Sequence, residues 1–220
     1  MTVAAEDLPM YAGYSYSMKH RDRIRQLIAQ EAARLMYEEQ IREYLTAKRK
    51  AARRFGPEQS LSLGNHLPSN AEIRQELERL LDLHEEKLRP ERLLQLRILA
   101  LKYLELLAPF RPYLVGSVLS GCVTERSDID LHLFAESPEE VTNFLQSRDM
   151  PFEEELITIR QGGKFIDYTH IYLKEQEVEI ECSIYAPRER QQVPRSSITG
   201  RPMERADAKK LRRLISATLR

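Results

Sequence analysis

Cysteine and net charge are both scarce in this sequence, and each shortage excludes a class of protein. Two cysteines, Cys122 and Cys182, are too few for a disulfide framework, and neither has the spacing of a zinc ligand. We expect both to behave as small buried apolar side chains. The 34 basic and 34 acidic side chains cancel. This balance argues against a dedicated nucleic-acid binder, because affinity for the phosphate backbone needs an excess of Lys and Arg.

Long apolar runs are also missing. No stretch approaches the roughly 20 apolar residues that span a bilayer, so we expect no membrane partner. The first twenty residues lack a basic segment followed by an apolar one, so we expect no secretion signal and a soluble, cytoplasmic protein. With 42% hydrophobic and 31% charged residues, the composition is that of a globular chain. Its 220 residues are enough for one or two domains.

The first half of the chain has the pattern of helices. Apolar residues recur at helical spacing over 21–55, namely Ile24, Leu27, Ile28, Ala32, Leu35, Met36, Ile41 and Leu45. A stretch with two Gly and two Pro interrupts this helix. Asn70 is the predicted cap of a second helix, with Glu72 in its first turn. Pro90 then restarts the pattern as a third helix that ends before Pro109. The sequence thus predicts a helical N-terminal domain over 1–105.

The second half, 106–220, has the pattern of short strands and turns. "PYLVG" and "SDIDLHLF" are predicted strands, and Ser137-Pro138 begins a helix. Two further strands flank the Gly162-Gly163 turn as a hairpin, "EVEIECSIY" is the last strand, and an amphipathic helix closes the chain. This order predicts an α+β domain, in which a small mixed sheet carries helices on one face.

The stretch "VGSVLSGCVTERSDIDLHLF", residues 115–134, has the residue types of a phosphate and metal site. Gly116 after a strand allows close approach of a ligand, and Ser117 offers a hydroxyl and free N–H groups to an anion. Asp128 and Asp130 are two residues apart, so both carboxylates leave the same face of a strand. Such a pair needs a cation, and Mg²⁺ prefers oxygen ligands. An ordinary turn followed by a half-exposed strand is the alternative interpretation.

The same stretch resembles the nucleotidyltransferase superfamily, which includes aminoglycoside nucleotidyltransferases and polymerase-β-like enzymes. The family signature is an apolar residue, Gly-Ser, a gap of about ten residues, and Asp-x-Asp followed by apolar residues. Val115-Gly116-Ser117, ten intervening residues and Asp128-Ile129-Asp130-Leu131 satisfy it. Small members often have Arg-Gly within the gap, where this chain has Ser120-Gly121. The resemblance does not extend to residues 1–105.

The resemblance implies a third carboxylate on a later strand, facing the first two. "VEIECSIY" offers Glu181, with Glu179 one pleat away, and both are Glu where the family usually has Asp. By this resemblance Gly116 and Ser117 hold the triphosphate, while Asp128, Asp130 and Glu181 bind one or two Mg²⁺ ions and Glu181 acts as general base.

The implied reaction is Mg-dependent transfer of a nucleoside monophosphate, with ATP the expected donor, to a hydroxyl of a small molecule or a protein. Two alternatives stay open. The first is a nucleotide-binding member that has lost turnover, and the second is a partner-dependent, antitoxin-like transferase. The helical half could present the acceptor, close over the nucleotide or form a homodimer.

Several other polar residues are weaker candidates. His132, His170 and Asp167 could contact substrate, but residues at such positions are more often ordinary parts of a strand. Lys164, Arg195 and Arg201 could add positive charge near a triphosphate. The basic run at 46–55 is interpreted as the solvated surface of a helix rather than a binding patch.

Overall fold

The computed structural model describes residues 11–56, 67–85, 88–161 and 164–219, and the chain divides into two units, Met1–His84 and Glu85–Arg220. In the first unit the described helices are α1 (Tyr11–Glu38), α2 (Tyr44–Ala52) and α3 (Asn70–His84). Helix α1 packs against both of the others. Their shared core consists of Ile28, Ala32, Leu35, Ala47, Ala51, Ile73, Leu77 and Leu81. The predicted helical character of the N-terminal region is confirmed.

The single helix predicted over 21–55 is wrong, because α1 and α2 are separate helices. The break follows Glu38, and Gln40 has a left-handed φ of +57°. The side-chain nitrogen of Gln40 donates a hydrogen bond to the carbonyl oxygen of Tyr37 at 2.7 Å, which satisfies one of the free carbonyls at the helix end. The sequence does not indicate this break, because it contains no Gly or Pro there and the apolar spacing continues through it.

The cap of α3 is Ser69 rather than the predicted Asn70. The Ser69 hydroxyl accepts a hydrogen bond from the backbone N–H of Glu72 at 3.2 Å, and Glu72 Oε2 accepts one from the backbone N–H of Ser69 at 2.7 Å. This reciprocal pair is a capping box. Arg25 of α1 also donates to both carboxylate oxygens of Glu72, each at 2.7 Å. The start of α3 is therefore held to α1.

The second unit is built on a five-stranded mixed sheet. Its helices are α4 (Leu88–Leu106), α5 (Gly116–Ser120), α6 (Pro138–Gln146) and α7 (Ala208–Thr218), with 3₁₀ turns at Ala108–Phe110 and Pro187–Gln191. Its strands are β1 (Tyr113–Leu114), β2 (Ile129–Phe134), β3 (Glu153–Gln161), β4 (Lys164–Glu175) and β5 (Val178–Tyr185). The strand order is β1-β2-β5-β4-β3, in which only β2 and β5 are parallel. The α+β class and the mixed sheet are as predicted.

One face of this sheet is apolar and carries the helices. Strands β2, β4 and β5 supply the buried residues Ile129, Leu131, Leu133, Ile171, Leu173, Ile180, Cys182 and Ile184. Helices α4, α6 and α7 supply Leu96, Leu104, Val141, Leu145, Leu211 and Ile215 to the same core. Cys122 and Cys182 are both buried, as expected, and burial raises the pKa of the Cys182 thiol.

Helix α4 lies in the sheet unit, although the sequence places it in the helical region before residue 106. The division falls between His84 and Glu85, about one helix earlier in the chain than predicted. The physical reason is the apolar face of α4, whose Leu96, Ala100 and Leu104 are buried in the core of the sheet. An amphipathic helix packs its apolar side against one surface, and it is part of the unit that provides that surface.

Candidate metal centre

Gly116 follows β1 after one intervening residue, Val115, and the structure requires a glycine there for two reasons. Its φ is +72°, in the left-handed region that L side chains rarely adopt. A Cβ at this position would also lie 1.9 Å from Oδ2 of Asp130. The backbone N–H of Val115 donates to the Asp130 carbonyl oxygen at 3.0 Å, which holds the two segments together. Gly116 therefore makes room for the Asp130 carboxylate.

The segment between Gly116 and Asp128 is shaped by local hydrogen bonds. Gly121, at φ +87°, ends α5 and donates its N–H to the Ser117 carbonyl oxygen at 2.8 Å. Arg97 of α4 donates to the carbonyl oxygens of residues 118 and 119 at 3.2 and 3.1 Å. Ser127 accepts from the N–H of Thr124 at 2.9 Å and closes the turn before Asp128. Gly121 and Ser127 thus have structural roles in this segment.

Three carboxylates converge on the face of the sheet opposite the helix-covered core. Asp128 immediately precedes β2, Asp130 lies on β2, and Glu181 lies on β5 as the register partner of Asp130. One carboxylate oxygen from each of the three lies within 4.8 Å of the other two, and all three residues are half-buried. Among the described residues, this metal-compatible group contains Glu181 and not Glu179.

The Ser117 hydroxyl is a second notable polar group in this segment. It follows Gly116, where an added Cβ would clash with the Asp130 carboxylate. Its Oγ is buried and has no hydrogen-bond partner among the residues that the structure describes. Buried hydroxyls in proteins are nearly always hydrogen-bonded. The Ser117 hydroxyl is therefore available as a donor to a ligand oxygen.

Two histidines lie in the next row of the same sheet face, and both are buried. His132 of β2 and His170 of β4 are each register partners of Ser183 on β5. His170 Nδ1 lies 2.7 Å from Oε1 of Glu181, and its Nε2 is buried without a partner among the described residues. From the sequence, His170 is only a weak candidate for a contact with substrate. Its link to Glu181 depends on strand register, which no local pattern reveals.

His132 has a different environment from His170. Its Nδ1 lies 3.4 Å from a guanidinium nitrogen of Arg205, and its ring packs on that of Tyr185 with centroids 4.8 Å apart. Burial, followed by the positive charge of Arg205 and the nearby His170, lowers the pKa of His132 to about 3. His132 is therefore neutral at physiological pH and does not supply positive charge to a substrate.

The remaining candidates make contacts of their own. Asp167 accepts a hydrogen bond from the Thr158 hydroxyl at 2.6 Å, and Arg195 donates to the Gly200 carbonyl oxygen at 2.9 Å. Arg201 is exposed, and the side chain of Lys164 lies outside the described residues. In the basic run at 46–55, Lys50 pairs with Glu39 and Arg54 with Glu31. These pairs favour the solvated-surface interpretation of that run.

Comparisons with known proteins supply no relative for this chain. No protein-family model matches it, and neither the curated proteins nor the solved structures contain a match. Over the described ranges, no helix is both long enough and apolar enough to cross a bilayer. What is inferred about function therefore rests on the geometry of the sheet face.

Proposed function

We propose that this chain is a magnesium-dependent nucleotidyltransferase that moves a nucleoside monophosphate from ATP to a hydroxyl group of a small molecule or a protein. The observation that carries the proposal is the convergence of the Asp128, Asp130 and Glu181 carboxylates within 4.8 Å, on the strand pair next to Gly116 and Ser117. The sequence motif predicts Gly116, Ser117, Asp128 and Asp130, and the family resemblance implies Glu181, which comes from a distant part of the chain.

The three carboxylates fit Mg²⁺ because they offer hard oxygen ligands at a spacing that one ion can bridge. Three like charges at this separation also repel one another, so a cation would lower the free energy of the site. Bound Mg²⁺ would neutralise the phosphates of the nucleotide and polarise the phosphorus under attack. Asp128, Asp130 and Glu181 are the residues proposed to hold it.

The other roles in the proposed reaction fall to Ser117 and Glu181. The unpartnered Ser117 hydroxyl is suited to donate a hydrogen bond to a phosphate oxygen of the nucleotide. Glu181 accepts the proton of the acceptor hydroxyl, whose oxygen then forms a bond to the α-phosphorus. The bond from the α-phosphorus to the bridging oxygen breaks, and pyrophosphate leaves with that electron pair. The nucleoside monophosphate ends on the acceptor oxygen.

The binding-only alternative depends on the third carboxylate lying far from the other two. Glu181 is the register partner of Asp130, and its carboxylate belongs to the same cluster. This placement favours a complete acidic set and therefore turnover. A partner-dependent transferase uses the same acids, and it differs only in requiring its cognate protein as acceptor.

Calorimetry of ATP binding with and without Mg²⁺ tests the proposal directly. We expect the wild type to bind ATP only with Mg²⁺, and the Asp128→Asn, Asp130→Asn double variant to lose this binding. Asp167→Asn is a matched control, because Asp167 lies on the same sheet but pairs with Thr158. We expect this control to bind like the wild type.

A second measurement separates binding from transfer. ATP labelled at the α-phosphate is incubated with the protein and with candidate acceptors, including the chain itself and a cell extract. Label that moves to an acceptor in the wild type and not in the double variant supports the transferase. Failure to bind any of the four nucleoside triphosphates would overturn the proposal.

A further inference from the structure

The hydrogen bond between His170 and Glu181 links the acidic cluster to a side chain outside it. Nδ1 of His170 and Oε1 of Glu181 are 2.7 Å apart. A carboxylate that binds a metal is ionised and can only accept hydrogen bonds, so in the metal-bound site Oε1 is the acceptor and the Nδ1–H of His170 is the donor. We propose that His170 is a positioning residue that holds the Glu181 carboxylate in its metal-binding orientation. This inference rests on the proposed metal site.

Glutamate at position 181 needs such a support more than aspartate would. A glutamate side chain has one more rotatable bond than an aspartate, so its carboxylate can point in more directions. Tyr172 is the register partner of Glu181 on β4, but its hydroxyl donates to Glu155 at 3.4 Å. Among the described residues, the hydrogen bond from His170 is the one that fixes the Glu181 carboxylate.

The environment of His170 argues against a purely structural role. The residue is only 7% exposed, and its second ring nitrogen, Nε2, is buried without a hydrogen-bond partner in the described part of the chain. Such an unsatisfied atom costs stability. An apolar ring would fill the same space without that cost. The hydrogen bond from Nδ1 to Glu181 compensates for this loss of stability if it is needed to hold the carboxylate in place.

His132 provides a matched comparison within the same row of the sheet face. It is 6% exposed, and it lies across Ser183 from His170. Its Nδ1 faces the guanidinium of Arg205 instead of a carboxylate of the cluster. A substitution at His132 therefore disturbs the packing of this face to a similar extent and leaves the hydrogen bond to Glu181 in place.

The test is the affinity of the full chain for Mn²⁺ alone, measured by calorimetry and by electron paramagnetic resonance. Mn²⁺ takes the oxygen ligands that Mg²⁺ takes and gives a spectroscopic signal independent of activity. We expect His170→Phe to weaken Mn²⁺ binding by about tenfold, which is the lower end of the range for loss of a residue that orients a metal ligand. We expect His132→Phe, the same substitution on the other side of Ser183, to bind like the wild type.

Two further variants use the position of the donor. Asparagine at 170 places its amide nitrogen close to where Nδ1 lies, and glutamine places it closer to the position of Nε2. We expect His170→Asn to restore Mn²⁺ affinity and His170→Gln not to restore it. A residue that merely fills space would not distinguish the two amides. This pair also decides the question if His170→Phe does not fold.

The outcomes separate this inference from the proposed function. A wild type that does not bind Mn²⁺ overturns the metal site, and the positioning role falls with it. A wild type that binds, together with a His170→Phe variant of equal affinity, overturns the positioning role alone. Equal affinities of the Asn and Gln variants would do the same.

Discussion

Two groups of carboxylates, one in each unit of the protein, have different neighbours. In the helical unit, Glu72 and Glu31 face bases. Glu72 accepts two hydrogen bonds from Arg25, and Glu31 lies between Arg34 and Arg54 at 2.8 and 2.6 Å. On the polar face of the sheet, Asp128, Asp130 and Glu181 face one another within 4.8 Å.

This difference separates charges that stabilise a fold from charges that prepare a site. The Arg25 guanidinium lowers the pKa of Glu72 to about 2, and Arg34 lowers the pKa of Glu31. The charges of such pairs are neutralised within the chain, and each pair contributes modestly to stability. Like charges brought together work against folding unless a ligand compensates. A cluster of acids on one face of a sheet therefore indicates function more strongly than any single acid does.

The same substitution in both units should give the largest contrast in activity. Glu181→Gln removes both a proposed metal ligand and the proposed base, so we expect the rate of nucleotidyl transfer to fall on the order of 10³-fold. Glu72→Gln lies in the helical unit and should leave the rate unchanged. The measurement is transfer of α-labelled nucleotide at saturating Mg²⁺. A Glu181→Gln variant that retains full activity would remove the chemical distinction between the two groups of acids.

A methyl group at residue 116 should disrupt the acidic cluster without changing its charge. In Gly116→Ala the new Cβ would lie 1.9 Å from Oδ2 of Asp130, so that carboxylate must move. Displacement of a reacting group by about 1 Å can lower a rate by about 100-fold, and we expect a loss of this size.

Gly200→Ala is the matched control for this prediction. Gly200 has a φ of +68°, but a Cβ there would meet nothing within 4 Å. It should cost only backbone strain, about 1 kcal/mol, and leave transfer unchanged. Equal losses in the two variants would show that backbone strain, rather than contact with Asp130, causes the effect.

Neutralising a paired acid should lower stability in a pH-dependent way. Pairing lowers the pKa of Glu72 from its ordinary value of 4.5 to about 2, so its stabilisation is fully present above pH 4.5 and is lost as the pH falls through about 2. The side chain is 38% exposed, so solvent screens the pair. After this discount we expect Glu72→Gln to lose about 1 kcal/mol at pH 7 and less at pH 3.

Urea unfolding followed by the helical circular dichroism signal measures this difference at both pH values. Only the difference between wild type and variant at the same pH is compared, because other carboxylates also titrate. A loss that is equal at pH 7 and pH 3 would mean that the charge of Glu72 does not contribute.

The smallest expected effect is on stability at the acidic cluster. Without divalent metal, Glu181→Gln removes one of three repelling charges, while the glutamine oxygen can still accept the hydrogen bond from His170. We expect stability to stay the same or to rise by about 0.5 kcal/mol. Urea unfolding in the presence of a chelator measures it. A clear loss would place Glu181 with the stabilising acids of the helical unit.

The parts of the site that follow local rules could be predicted from the sequence. Alternation along a strand places Asp128 and Asp130 on one face, and it does the same for Glu181 opposite the buried Ile180 and Cys182. The α+β class follows from the order of periodic segments. These features depend on spacings of a few residues, which a single sequence contains.

The features that could not be predicted depend on contacts between distant segments. The hydrogen bond from His170 to Glu181 requires the antiparallel register of β4 and β5. The assignment of α4 to the sheet unit requires knowledge of which surface covers Leu96 and Leu104. The end of α1 at Glu38 is followed by a left-handed Gln40, a residue type that carries no strong turn signal.

The parallel pairing of β2 with β5 has a consequence for how the protein acquires its site during folding. Helix α6 and the whole β3–β4 hairpin lie between these strands in the chain, so their pairing is a non-local contact that forms slowly. Asp130 meets Glu181 only when this pairing is complete. A growing chain that has not yet produced β5 therefore has two of the three carboxylates. If the cluster binds metal as proposed, affinity for a divalent ion would report the completion of the sheet.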